Sequence, residues 1–85
     1  MDSKTLTILN KSHAIKSVLI KAEGSQLFIQ FKLKNGDQAV AQTLRGKTKH
    51  WVTFDAAIKW LRSLGIGYAS IDMRKWNKEQ TQLDL

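Results

Sequence analysis

Eighty-five residues, 42% of them apolar, describe one small domain with enough hydrophobic material for a single core and too much for a disordered tail. No cysteine is present, which excludes disulfide staples and thiol chemistry and gives no support to a secreted, cross-linked scaffold. Fourteen Lys and Arg against seven Asp and Glu leave a formal charge of +7, a balance that suits polyanionic partners as well as solubility.

The opening stretch "MDSKTLTILNKSHAIK" does not read as a signal peptide, because Asp2 precedes Lys4 and no long apolar run follows. Nowhere do eighteen apolar residues follow one another, so a cytoplasmic domain with no membrane span is expected. Residues 1–11 are polar apart from the short "LTIL" patch, and read as a flexible lead-in, a short strand or a dimer-contacting arm. From Ala14 to Ala22 two periods compete. Ile15, Val18, Leu19 and Ala22 recur at helical spacing, while Val18, Ile20 and Ala22 alternate; the β-branched residues of "SVLI" tilt the second half toward a strand. "EGSQ" is a turn signal, with Gly24 free to take positive φ.

"LFIQFKLK" predicts a strand whose Leu27, Ile29, Phe31 and Leu33 point one way, and whose Phe28, Gln30, Lys32 and Lys34 point the other. Asn35–Gly36 then predicts a hairpin with a type I′ turn. The returning strand, 38–44, has the weaker pattern, with Val40, Gln42 and Leu44 read toward the core and Ala39, Ala41 and Thr43 away from it. "TLRGKTKHW" follows as a basic turn, and "HWVTF" can close a second hairpin. Thr53 is the expected N-cap of a helix with Asp55 in its first turn, where the helix dipole favours a carboxylate. Phe54, Ala57, Ile58, Leu61 and Leu64 form its apolar stripe, Trp60 lies at the stripe's edge, and Gly65 is the expected C′ residue with Ile66 packing back. "YASIDMRKW" reads as a last strand with Ala69, Ile71 and Met73 toward the helix, and 77–85 as a polar tail, frayed or held through Leu83 and Leu85.

The expected architecture is a single α+β domain over 1–85: a small antiparallel sheet of three to four strands with one main helix on one face, in the order β-β-β-α-β, and with flexible ends at 1–11 and 77–85. One helix covers one face of a sheet, so the other face is solvated or meets a partner. By alternation that face carries Leu19, Lys21, Phe28, Gln30, Lys32, Ala39, Ala41, Thr43, Tyr68, Ser70, Asp72 and Arg74, with Arg45 at its rim. Rings beside cations can stack on unpaired bases while the cations neutralise phosphates. Equally, Phe28 and Leu19 can bury themselves in a second small core or in a homodimer across the sheet.

Between Lys32 and Arg62 there are seven Lys or Arg and two Asp or Glu, a local balance of +5 that accounts for most of the charge. This concentration favours nucleic acid, DNA or RNA, duplex or single-stranded. The candidate contacts are Arg45, Lys47, Lys49 and His50 on the basic turn, with Lys32, Lys34, Arg74, Phe28 and Tyr68 on the sheet. No catalytic constellation is present in the sequence. His13 and His50 are the only histidines and neither has metal-ligand spacing; Asp55 is explained by the helix dipole, and Asp72 by pairing with Arg74 or Arg45. Gly65–Ile66–Gly67 follows a helix and lacks the lysine of a phosphate loop. Neither an enzyme nor a cofactor nor a metal is expected.

The stretch "WVTFDAAIKWLRSLGIGYASIDMRKW", Trp51 to Trp76, about a third of the chain, resembles a segment of small basic accessory proteins carried by plasmids and other mobile elements, some associated with partition or stability. The resemblance implies a bacterial, plasmid-borne, DNA-linked role and brings no functional residues with it. The competing expectation is an adaptor or inhibitor encoded by a mobile element, whose charge meets an acidic protein and whose aromatic sheet face supplies hot spots.

Overall fold

A computed structural model describes residues 1–76; the tail at 77–85 lies outside the described residues. The elements are α1 (Ser3–Lys11), β1 (Ile15–Gly24), β2 (Gln26–Leu33), β3 (Gln38–Val40), α2 (Phe54–Ser63) and β4 (Ser70–Trp76). They form one four-stranded sheet in the order β3-β2-β1-β4. The α+β class and the main helix on one face are those the sequence predicts. Two features go beyond it.

The first is α1. The segment read as lead-in, strand or arm is a helix: the Asp2 carboxylate accepts the Thr5 N–H at 2.9 Å as N-cap, and Leu6 is fully buried. The apolar signal was hidden because only one side chain of α1 reaches the core, while Thr5, Thr7 and Ile8 are β-branched and lower the helical propensity. Asn10 ties α1 to α2 by donating to the Leu64 carbonyl. The second feature is direction. β4 pairs with β1 in parallel, so the sheet is mixed rather than antiparallel. β3 and β1 are both antiparallel to β2 and therefore run the same way. A helix after β3 returns the chain to the end where β3 began, and the next strand must then start in the same direction.

The core follows from register. Val18, Ile20 and Ala22 of β1 stand opposite Phe31, Ile29 and Leu27 of β2, and directly paired residues share a face. These six side chains, with Leu6, Ala57, Leu61, Leu64 and Ile66, make one buried cluster beneath the two helices. The whole of 15–24 is therefore strand, and the helical reading of its first half is lost. Phe31 pairs with Ala39 and Gln30 with Val40, which turns β3 over relative to the sequence reading: Ala39 and Ala41 face the helices, and Val40 faces away. Ala39 pairs directly with the buried Phe31 and so shares its face, and Ala41 is fully buried.

Both helices end alike. In α2, Gly65 at φ +86° donates to the Arg62 carbonyl and Ile66 to that of Leu61, a Schellman motif with Ile66 buried, and Thr53 caps the other end as predicted. In α1 the same pair of bonds runs from His13 to Asn10 and from Ala14 to Leu9, but the left-handed position is held by His13, at φ +59°. Of the α2 stripe, Ala57, Leu61 and Leu64 are buried, whereas Ile58 is exposed. Ile71 and Met73 are exposed too, because β4 is an edge strand that α2 covers only in part, at Trp76, where the Phe54 ring packs with centroids 5.5 Å apart. No described helix is long and apolar enough to cross a membrane.

Candidate nucleic-acid interface

β3 ends at Val40, and after Ala41 the chain leaves the edge of β2 to form a finger. It returns at Trp51, whose N–H and carbonyl bond to Leu27 at 2.9 and 2.8 Å. The finger is a short ribbon: Gln42 opposes Thr48, Thr43 N–H donates to the Lys47 carbonyl at 2.7 Å, and Gly46 N–H donates to the Thr43 carbonyl at 2.9 Å. Gly46 takes φ +83°, the left-handed residue that closes a type I turn with a bulge. The β2–β3 hairpin uses the same turn. Gly36, at φ +97°, donates to the Leu33 carbonyl, and Leu33 donates to that of Asp37. Since Asn35 keeps negative φ, the hairpin sits where Asn35–Gly36 predicts it, but the turn is not type I′.

The base of the finger is pinned from two sides. Gln42 N–H donates to the Met1 carbonyl at 2.7 Å, which fastens α1 to the departing arm. On the returning arm Trp51 is buried against Trp60, ring centroids 5.0 Å apart. Successive residues of that arm point to opposite sides. The Lys49 ammonium lies 5.6 Å from the Trp51 ring centroid, and the His50 and Phe28 rings are T-shaped with centroids 6.3 Å apart. Arg45 and Lys47 are exposed at and beside the tip. The finger therefore carries Arg45, Lys47 and Lys49 from its tip to its base, with Lys49 on one side and His50 on the other.

The open face of the sheet begins at Phe28. Register places Ser17, Leu19 and Lys21 of β1, Phe28, Gln30 and Lys32 of β2, Gln38 and Val40 of β3, and Ser70 and Asp72 of β4 on that face. A shallow groove of about 220 Å³ runs across it between β1 and β3, with Gln30, Lys32 and Gln38 among its polar lining. Val40 is the member that the sequence reading puts toward the core, through the reversed face of β3, and Gln38 beside it is one that reading assigns to neither face. Leu44 is the larger correction. Read as a core residue of β3, it stands at the finger tip, 93% exposed.

The structure places Arg45, Lys47, Lys49 and His50 on one finger, with the His50 ring against Phe28 at its base and Lys32 further along β2. It separates the other three. Lys34 lies in the β2–β3 turn, six residues and roughly 20 Å along the chain from Phe28. Arg74 is on β4, the far edge of the sheet, where its guanidinium donates to both Asp72 carboxylate oxygens at 3.1 and 2.8 Å. Those side-chain bonds, then the Arg74 backbone N–H, hold the Asp72 carboxyl down at about 2. An extra residue of β4 between Asp72 and Lys75 breaks the alternation there. Tyr68 precedes β4 and lines a different hollow, of about 280 Å³, between α2 and β4 together with Ile58, Ile66 and Ile71. Phe28 and Tyr68 thus do not form one stacking platform. No protein-family model matches the chain, and neither the curated proteins nor the solved structures contain a significant match to it.

Proposed function

We propose that the protein is a non-catalytic nucleic-acid-binding accessory protein that contacts the phosphates of duplex DNA through the basic finger, 42–50, and the adjoining open sheet face. The observation that carries this reading is the finger itself: a ribbon pinned at its base by α1 and Trp51, with Arg45, Lys47, Lys49 and His50 distributed over tip and flanks and no acidic residue among them. A two-stranded ribbon fits the major groove of B-DNA, where cations at its tip and along its arm reach the phosphate backbone. Separation of Phe28 from Tyr68 removes the paired rings that would favour unpaired bases, so duplex is preferred over single strand.

The test is a salt series with labelled duplex DNA, single-stranded DNA and RNA, for wild type and for Arg45→Ala/Lys47→Ala/Lys49→Ala. Four phosphate contacts, from those three residues and Lys32, give a log–log slope of about −3.6, and removal of three leaves about −0.9. Raising salt from about 50 to about 200 mM should then weaken wild type by roughly 150-fold and the variant by only three- to fourfold. Absence of binding at low salt, or equal slopes for the two proteins, refutes the proposal. The hollow between α2 and β4, with Ile58, Tyr68 and Ile71 exposed, favours the second reading, a mobile-element adaptor or inhibitor that binds an acidic protein.

A further inference from the structure

Phosphate binding does not use the most exposed large apolar side chain among the described residues, Leu44. It occupies, with Arg45, the two central positions of the finger's turn, between Thr43 and Gly46. The β2–β3 turn is built with the same backbone hydrogen bonds and carries Lys34 and Asn35 at those two positions. The comparison isolates what the finger changes. A turn of this geometry needs only its glycine and accepts polar residues at the centre; the finger instead holds a leucine out in water beside an arginine.

We infer that the finger reads sequence in the major groove, with Leu44 against the C5-methyl group of a thymine while Arg45 beside it stays on phosphate. The inference rests on the DNA-binding reading above and adds a base preference to it. Reach and width fit. Ala41 is the last residue of the departing arm bonded to β2, and Leu44 lies three residues beyond, about 10 Å at strand rise. The major groove is about 8.5 Å deep and about 12 Å wide, against a ribbon of two strands about 4.8 Å apart. The chemistry fits as well. Thymine is the one base that presents a methyl group on the groove floor. A leucine wedged between base steps from the minor groove is the competing placement. That groove is only about 6 Å wide, and unstacking a base step costs more than burial of one leucine returns. A finger with three flanking Lys or Arg has few further contacts to offset a kink.

The experiment compares a mixed-sequence 20-base-pair duplex with the same duplex carrying deoxyuridine in place of every thymidine, at one salt concentration. Wild type should bind the uracil duplex about fourfold more weakly for each thymine methyl that it contacts. Leu44→Ala should bind both duplexes alike while keeping the wild-type salt slope. The exposure of Leu44 makes that variant safe for folding. Lys47→Ala should weaken binding to both equally and preserve the discrimination. Indifference of wild type to the methyl group, or discrimination that survives in Leu44→Ala, overturns the assignment. Affinity that depends on Leu44 but not on the methyl group also overturns it, in favour of a wedge. Failure of wild type to bind either duplex defeats the DNA-binding reading itself, a different outcome from binding without discrimination.

Discussion

Leu6→Ala tests whether α1 belongs to the fold. Leu6 is fully buried, and it is the only buried residue of its helix. Truncation of a buried leucine to alanine costs about 2–5 kcal/mol, the lost transfer energy plus the cavity left behind. For a domain of this size each kcal/mol moves the melting temperature by roughly 4–8 °C, so a mid-range cost of about 3 kcal/mol lowers Tm by roughly 12–24 °C. Ile8→Ala is the internal control. Ile8 lies on the same helix but is 59% exposed, and alanine is the better helix former, so its Tm should stay within about 3 °C of wild type. Thermal unfolding followed by circular dichroism measures both. Because α1 is fastened to the finger through the Met1–Gln42 bond, Leu6→Ala should also weaken DNA binding below the unfolding transition. An unchanged Tm for Leu6→Ala, or equal losses for the two variants, would show that the helix does not contribute to the core.

His13→Gly should stabilise the protein by on the order of 1 kcal/mol, since a β-carbon at φ +59° is penalised and glycine is not; urea unfolding with an unchanged m-value is the check. Gly46→Ala and Gly36→Ala should each destabilise by on the order of 1 kcal/mol, because neither added β-carbon meets an atom within 4 Å and the cost is conformational alone; only Gly46→Ala should weaken DNA binding. Asp72 is held near 2 by Arg74, below its unfolded value, so the pair's contribution to stability is present above about pH 4 and is lost as pH falls toward 2. Arg74→Ala should raise Asp72 toward the ordinary carboxylate range in an NMR titration, short of it because the backbone N–H of residue 74 still donates, and should leave the salt slope of DNA binding unchanged; an unshifted Asp72 would contradict the pairing.

What the sequence shows of this fold depends on how many side chains of each element reach the core. β2 places Leu27, Ile29, Phe31 and Leu33 inside and was legible by alternation alone; α2 has Thr53, a stripe and Gly65, three independent signals. α1 commits only Leu6 and was invisible. β3 was legible as a strand, but its faces were reversed: hydrophobicity sends Val40 inward, while the register pairs Ala39 with the core residue Phe31 and Val40 with Gln30 on the open face. That single reversal also put Leu44 in the core. The spacing of Thr43 to Gly46, equal to that of Leu33 to Gly36, was the available signal that the strand had already turned by then. The basic finger was legible as a cluster because its cations are contiguous in sequence. The separation of Lys34, Arg74 and Tyr68 from it was not, because strand order decides that, and the parallel addition of β4 at the far edge is a property of the whole topology.

The claim that the finger is the DNA-contacting element is tested most directly by mapping amide resonances of the labelled protein as duplex DNA is added. The account predicts shifts concentrated at 42–50 with a weaker set at Phe28, Gln30 and Lys32, and quiet resonances along α2 and β4. Perturbation centred on Ile58, Tyr68 and Ile71, with residues 42–50 unmoved, would contradict it.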